Sequence, residues 1–477
     1  MTGAPTSNSP HVAVVGAGLT GALMATYLGR AGHEVDVYEH RADPRTGHAS
    51  GGRSINLAIS ARGIRALTEL GLEERIMKNA IPMRGRMIHS PEGNLSFLPY
   101  DKDPRKCINS ISRAGLNLAL IQAADEFANV RLHFGHHCVG VELERPAMHF
   151  RTNRPADSGN SKAADGGAEA TTDQHETVEK GINQPHGSQC LTIESDVVIG
   201  ADGAFSAVRR SMQRLDRFDY AQSFLAHGYK ELSIPPTNGG DFAMEPNALH
   251  IWPRRSFMMI ALPNVDRTFT CTLFLAFDGP VSFAALHDEN SVARFFHQNF
   301  PDAVPLMPSL HEDFRNNPTG SLATMRCGPW HYGGRVLLIG DAAHAIVPFY
   351  GQGMNAGFED CTMLNGILKR GVPDWEQTFR EFYTTRKKNA DAIADLALHN
   401  FVEMRDHSAS RLFHLKKAAE RALHRFVPGY VPLYSMISFS CIPYAEALRR
   451  AQRKNRLLAA LTVVAAFALI LALGVAP

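Results

Sequence analysis

Residues 335–360 read RVLLIGDAAHAIVPFYGQGMNAGFED. Val336, Leu337, Leu338 and Ile339 form an unbroken apolar run of the kind that fills a buried strand, and the run stops at Gly340-Asp341. The residues beyond the acid are mostly small and apolar. They lead to Gly351-Gln352-Gly353-Met354-Asn355-Ala356-Gly357, the composition of a backbone nest that opens a helix and favours an anion. In a parallel sheet the carboxyl ends of the strands meet at the crevice where ligands lie. A lone carboxylate at such a tip is therefore placed to accept hydroxyl groups from an extended ligand.

The N-terminus supplies the ligand class. HVAVVGAGLTGALMATYLGRAGHEVDVYEHR, residues 11–41, predicts a strand at Val12–Val15, a Gly-rich turn and a helix to about Ala31. Gly32 then stops the helix, and a second strand, Val35–Tyr38, ends in Glu39. Gly16-x-Gly18-x-x-Gly21 sits between strand and helix, where glycines let the backbone approach a pyrophosphate resting on the helix N-terminus. Glu39 stands where an acid accepts hydrogen bonds from a ribose. This βαβ opening implies a dinucleotide and a parallel sheet. Asp341 then suits either the ribityl hydroxyls of FAD or the second ribose of a nicotinamide dinucleotide.

Outward from these two ends the chain divides. Helices are expected at Ala61–Lys78 and at Ser112–Phe127, the latter with Ser112 as N-cap. Residues 151–189 contain only Val178 and Ile182 as large aliphatics and no aromatic, so they read as a disordered insertion between strands. Order returns in a strand that runs into Gly200-Ala201-Asp202-Gly203. Residues 216–319 carry short β-rich runs such as ALHIWP and SFMMIALP, which imply an antiparallel sheet and a second domain. The expected division is a Rossmann-type α/β cofactor domain (9–75, 106–215 and 320–372), a substrate domain (76–105 and 216–319) and a helical region (373–448).

The 477 residues suffice for two or three domains, and a net charge of +2, from 49 basic against 47 acidic residues, gives no reason to expect nucleic acid as a partner. The seven cysteines never form CxxC, and His136-His137 has no carboxylate or cysteine cluster beside it, so no zinc site is expected. Residues 457–476 hold no charged side chain, enough for a helix of about 30 Å across a bilayer. Arg449, Arg450, Arg453, Lys454 and Arg456 precede them and place the body on the cytoplasmic side. The membrane would be the mitochondrial outer membrane in a eukaryote or the inner membrane in a bacterium. A buried terminal core helix is the alternative for this stretch.

GxGxxG, GADGAFSAVR and GDAAHAIVPFYGQGMNAGFED resemble the three signatures of the FAD-dependent aromatic monooxygenases. More narrowly, GRSINLAIS, IPMRGRMIHS, HGYKELSIPP, AMEPNALHIWPRRSFMMIALPN and FTCTLF resemble the kynurenine 3-monooxygenases, over nearly the whole chain apart from 151–189. The resemblance implies bound FAD, NADPH as a transient co-substrate, O2 as co-substrate and L-kynurenine as substrate. It implies that Gly16, Gly18, Thr20, Gly21, Glu39 and Arg41 hold the ADP half, and that Ala58, Arg113, Cys138, Asp341, Gly353, Met354 and Asn355 line the rest. It assigns Arg86, Tyr100, Asn400 and Tyr434 to the substrate, with Tyr444 as a rival for the last. Pro348, Phe349 and Tyr350 are expected near the flavin. No catalytic side chain is nominated, since a flavin hydroperoxide would do the oxygen transfer. No second GxGxxG serves NADPH. The same architecture also fits a membrane-associated epoxidase or reductase with an apolar substrate, and a non-catalytic FAD-binding scaffold.

Overall fold

The apolar run at the start of 335–360 is an inner strand. In the computed structural model, which describes residues 10–47, 56–153, 188–371, 374–403 and 430–456, Val336–Leu338 belongs to a six-stranded sheet. The order across that sheet is 331–332, 336–338, 197–200, 12–15, 35–39 and 130–134. Every neighbouring pair is parallel except the short edge hairpin of 331–332 with 336–338. All residues of Val12–Val15, Val35–Glu39, Val197–Gly200 and Val336–Leu338 are buried, as expected where helices cover both faces. Each fully buried valine or leucine contributes about 1.5–3 kcal/mol.

The helix Leu19–Arg30 packs between Arg113–Asp125 and Gly353–Leu368, and nine of its residues, Gly21 to Gly29, are buried. Helix Arg113–Asp125 begins where expected, with Ser112 Oγ accepting from Gly115 N at 3.2 Å. The single helix expected over Ala61–Lys78 is instead two, Ala61–Leu70 and Glu73–Met77. Gly71 divides them at φ +76°, a left-handed cap that satisfies the carbonyl groups of the first helix and ends it.

A three-stranded antiparallel sheet, 136–142, 147–153 and 188–194, flanks the first. Its pairing continues to Asn153 opposite Ser188. The expected insertion thus loses 151–153 and 188–189 to the strands, where ladder hydrogen bonds outweigh the polar composition; residues 154–187 lie outside the described residues.

The third layer is a seven-stranded sheet ordered 320–328, 219–234, 269–276, 257–263, 248–254, 85–89 and 95–99. It is antiparallel except that 85–89 lies parallel to 248–254, because 85–89 joins from a distant part of the chain and not through a hairpin. One face packs on Trp252, Phe269, Leu273, Phe296 and Phe300 with the helix Glu289–Asn299. The other presents Ile251, Met258 and Phe274 to Phe349 and to Ala397 and Phe401 of the helix Trp375–Val402. That second face thus meets the turn that carries Phe349. Among the described residues no helix is long and apolar enough to cross a membrane, and the apolar stretch 457–476 lies outside them.

Candidate active site

Strand order removes the 300-residue gap. Strand 12–15 neighbours 197–200, which neighbours 336–338, so Gly16, Asp202 and Asp341 lie just past three adjacent strand tips. Gly16 adopts φ +100°, and a Cβ there would stand 2.6 Å from Ala201 O; one on Gly21 would stand 1.8 Å from Gly16 O. A Cβ on Gly18 would meet nothing within 4 Å, so open ground faces the start of helix Leu19–Arg30. No side chain caps that helix, which leaves its first N–H groups for an anion. Glu39 is buried, and its carboxylate accepts from Ala17 N at 2.8 Å and Arg41 N at 3.0 Å, which fixes it at the strand tip.

The second helix start is brought to the first. A Cβ on Gly357 or Gly340 would stand 2.5 or 2.8 Å from Thr20 Oγ1, so Thr20 is the contact that seats helix Gly353–Leu368 against helix Leu19–Arg30. Helix Gly353–Leu368 also lacks a side-chain cap. Two positive dipole ends thus face one crevice. Asp341 beside them is exposed and has no hydrogen-bond or ion-pair partner among the described residues. Asn355 is fully buried: Oδ1 accepts from Ser60 N at 2.9 Å, and Nδ2 donates to Ala58 O and Gly351 O at 2.9 and 2.8 Å. Its amide therefore shapes the loop from within, while Gly353 and Met354 remain partly open. Arg41 and Arg113 are exposed, and Cys138 is half-buried with its thiol pushed up to about 12 by burial.

At the substrate-domain end a cation meets two phenol rings, and a third stacks on one of them. The Arg86 guanidinium lies 5.1 Å from the Tyr434 ring and 5.7 Å from the Tyr100 ring. Tyr100 and Tyr434 stack at 5.0 Å, and Tyr434 and Tyr350 at 5.6 Å. Arg86 and Tyr100 are half-buried as residues, yet Arg86 Nε and Tyr100 Oη are shielded from solvent without a hydrogen-bond partner among the described residues. Burial works against the Arg86 charge, and Tyr100, Tyr434 and the Glu403 carboxylate outweigh it. Burial keeps the Tyr100 and Tyr350 phenols protonated. Asn400 Nδ2 donates to Phe349 O, and Phe349 packs on Phe401 at 4.3 Å and Phe274 at 4.9 Å. Pro348 is exposed. Tyr444 does not join this group; its hydroxyl reaches Gln352 Oε1 at 2.9 Å.

A family model described as FAD binding domain matches residues 10–372. The kynurenine 3-monooxygenase of Myxococcus xanthus is 47% identical over 437 residues, covering 91% of this chain and 87% of that protein. The one from Anopheles gambiae is 42% identical over 466 residues, 97% of this chain and 89% of that protein. The chain belongs to the kynurenine 3-monooxygenase family.

Among solved structures, 2-methyl-3-hydroxypyridine-5-carboxylic acid oxygenase matches with a TM-score of 0.62 at 18% identity, covering 90% of this chain and 96% of that one. p-Nitrophenol 4-monooxygenase PnpA from Pseudomonas putida matches with 0.63 at 18%, covering 88% and 94%. At such identity they establish the fold. As a kynurenine 3-monooxygenase family member the chain is a flavoprotein monooxygenase with FAD as its cofactor. The residues present fit that group: a glycine cradle, an acid at each end of the crevice and two uncapped helix starts. Two further residues of this site went unassigned from sequence. Asp202, inside GADGAFSAVR, accepts from Ala207 N and Val208 N at 2.7 and 3.2 Å through one oxygen and leaves the other buried without a partner among the described residues, while its Cα borders Gly16. Arg209 in the same stretch donates to Ala342 O at 2.7 Å, linking the second strand tip to the third.

Proposed function

We propose that this chain hydroxylates L-kynurenine at ring position 3, giving 3-hydroxy-L-kynurenine, with NADPH and O2 as co-substrates. One observation carries the reading. Arg86 Nε and Tyr100 Oη, shielded and without hydrogen-bond partners among the described residues, stand against the Tyr434 ring, which stacks on Tyr350 of the loop before helix Gly353–Leu368. An amino-acid carboxylate is the group that a guanidinium fork and a phenol bind together.

FAD, when bound, supplies the redox chemistry, taking hydride from NADPH and activating O2. The chain holds its two ends. Gly16, Gly18, Gly21, Glu39 and Arg41 take the adenosine diphosphate half. Thr20 stands with the ADP half, Ala58, Arg113, Cys138 and Asp341 flank the middle, and Gly353, Met354 and Asn355 shape the loop at the ring. Arg86, Tyr100, Asn400 and Tyr434 orient the substrate, so that the ring carbon beside its amino group points inward. That amino group already enriches the ring in electrons, so no strong base is required. Phe349, wedged between Phe274 and Phe401, and the Tyr350–Tyr434 stack keep water from the reacting centre. An apolar substrate is disfavoured, since it would leave Arg86 Nε and Tyr100 Oη shielded without hydrogen-bond partners. We also propose that residues 457–476 anchor the protein in a bilayer with the body on the cytoplasmic face.

The test is NADPH oxidation with and without L-kynurenine, combined with mass analysis of the product. Kynurenine-dependent oxidation with one added oxygen is expected. Oxidation indifferent to kynurenine, or turnover of an apolar polyene in its place, overturns the reading.

A further inference from the structure

Gln352 stands at a junction that the proposed chemistry leaves unused. It precedes helix Gly353–Leu368, yet its amide caps nothing there. Nε2 donates to Ser60 Oγ at 3.2 Å, and Oε1 accepts from Tyr444 Oη at 2.9 Å. Both Gln352 and Tyr444 are buried, at 1% and 0% exposure. Ser60 heads helix Ala61–Leu70 and gives its own N–H to Asn355. The loop at the flavin ring is thereby tied to a tyrosine 92 residues away.

The ring of Tyr444 carries a second connection. The Arg62 guanidinium sits 3.8 Å from its centroid, donates to the carbonyl groups of Ile437 and Ile442, and pairs with Glu359 at 2.9 Å. Buried Arg386 shares Glu359 and also holds Asp360, at 2.5 and 2.7 Å. These charges are tolerable in the interior because each is paired and hydrogen-bonded, so a shift of the segment has a free-energy cost that ligand binding can bias. Ile437 lies in the helix Leu433–Ser438, which also carries Tyr434. One short stretch presents Tyr434 to the Arg86 clamp and Tyr444 to the flavin loop, with Arg62 fixing the backbone between them.

We infer that Tyr444 is a positioning residue that couples FAD binding to capture of the amino-acid substrate through its hydrogen bond to Gln352. The inference rests on the reading of Arg86, Tyr100 and Tyr434 as the kynurenine clamp. Tyr434 and residues 437–444 belong to one stretch, so a carboxylate that holds Tyr434 at the clamp biases that stretch toward the arrangement seen here, in which the Tyr444 hydroxyl donates to Gln352 and sets the loop. The coupling is reciprocal: FAD tightens kynurenine by the factor that kynurenine tightens FAD.

The test monitors FAD release from diluted holoenzyme by the return of flavin fluorescence, with and without saturating L-kynurenine and without NADPH. Wild type should show an FAD Kd lowered about fivefold or more by kynurenine. In Tyr444→Phe the ratio should fall to within about twofold of unity, in the range left when a coupling is lost. A merely structural tyrosine would weaken FAD equally in both arms, and an unchanged ratio overturns the inference. The double variant Y444F/Q352M removes both ends of the bond, together with the Gln352 donor to Ser60 Oγ, so its ratio should likewise stay near unity. A restored ratio overturns the inference as well. A wild-type ratio of unity, with kynurenine still perturbing the flavin spectrum, defeats the coupling and leaves the substrate reading standing. Absence of any kynurenine binding defeats the substrate reading, and the coupling with it.

Discussion

Replacing Arg86 with methionine tests the clamp without opening a large void. The side chain keeps its apolar stem, and only the guanidinium is lost. In the free protein Arg86 Nε and Tyr100 Oη are already shielded without partners, so part of the desolvation cost is present before substrate binds. A carboxylate that enters recovers it through charge-assisted hydrogen bonds. In Arg86→Met the carboxylate is buried against a thioether and a phenol, at a cost of about 2–4 kcal/mol for a charge left without its partner. At 1.36 kcal/mol per tenfold this raises KM by about 30- to 900-fold. The interaction is the same before and during oxygen transfer, so kcat should change little. Steady-state NADPH oxidation, with product counted by mass, separates productive turnover from wasted reducing equivalents. The decarboxylated analogue of kynurenine supplies an internal control: wild type should discriminate strongly against it, and Arg86→Met should not. A KM within about threefold of wild type, or discrimination that survives the substitution, would refute the clamp.

Asp341→Ala should weaken FAD by about 10- to 150-fold, the loss of one charge-assisted hydrogen bond of about 1.5–3 kcal/mol, read as a lower flavin-to-protein absorbance ratio after gel filtration. A variant that purifies fully yellow contradicts the assignment of that strand tip. Burial lowers His250 from 6.5 to about 4, while its Nε2 faces Glu245 O and its Nδ1 faces His89. The unfolded imidazole therefore takes up a proton that the folded one refuses, so this stabilisation is complete above pH 6.5 and is lost as pH falls toward 4. Between pH 7 and 5 it amounts to about 2 kcal/mol, and His250→Gln should flatten the urea-unfolding profile across that interval. Ending the chain before Leu457 should release it from membranes in fractionation while Tyr434 and Tyr444 remain, and a truncated protein that still pellets with lipid argues against the anchor.

The cofactor end was largely legible because its signals are local. Gly16, Gly18 and Gly21 are demanded by backbone geometry within one turn, and Glu39 by the length of one strand. The carboxylate at Asp341 was legible for the same reason, as an apolar run that ends on an acid. What sequence leaves open is adjacency. Nothing in the spacing of Arg86, Tyr100, Asn400 and Tyr434 brings them together; the resemblance named them, and only the packing of helices Trp375–Val402 and Leu433–Ser438 sets Tyr434 on Arg86 and Tyr100, and Asn400 on Phe349. Tyr350 is the clearest instance. Its ring direction depends on how the turn at 348–350 seats between Phe401 and Tyr434, which no local preference encodes. The Gly71 break was readable in principle, as a glycine inside an apolar pattern, but the pattern continues past it. Asp202 is not legible because its place depends on one buried oxygen that finds no partner among the described residues once the second strand tip is set beside the first.

The crevice is closed by parts of the chain that emerge from the ribosome far apart in time. The first strand tip is complete after the fingerprint is made, the second after residue 202, the third after residue 341, and the tyrosine that secures the flavin loop only at 444. Strand Val12–Val15 must wait for two neighbours before it has both flanks covered. Flavin loading is consequently a late step, reserved for finished polypeptide. A chain released early could form its opening βαβ turn and still lack the second and third strand tips that flank the crevice.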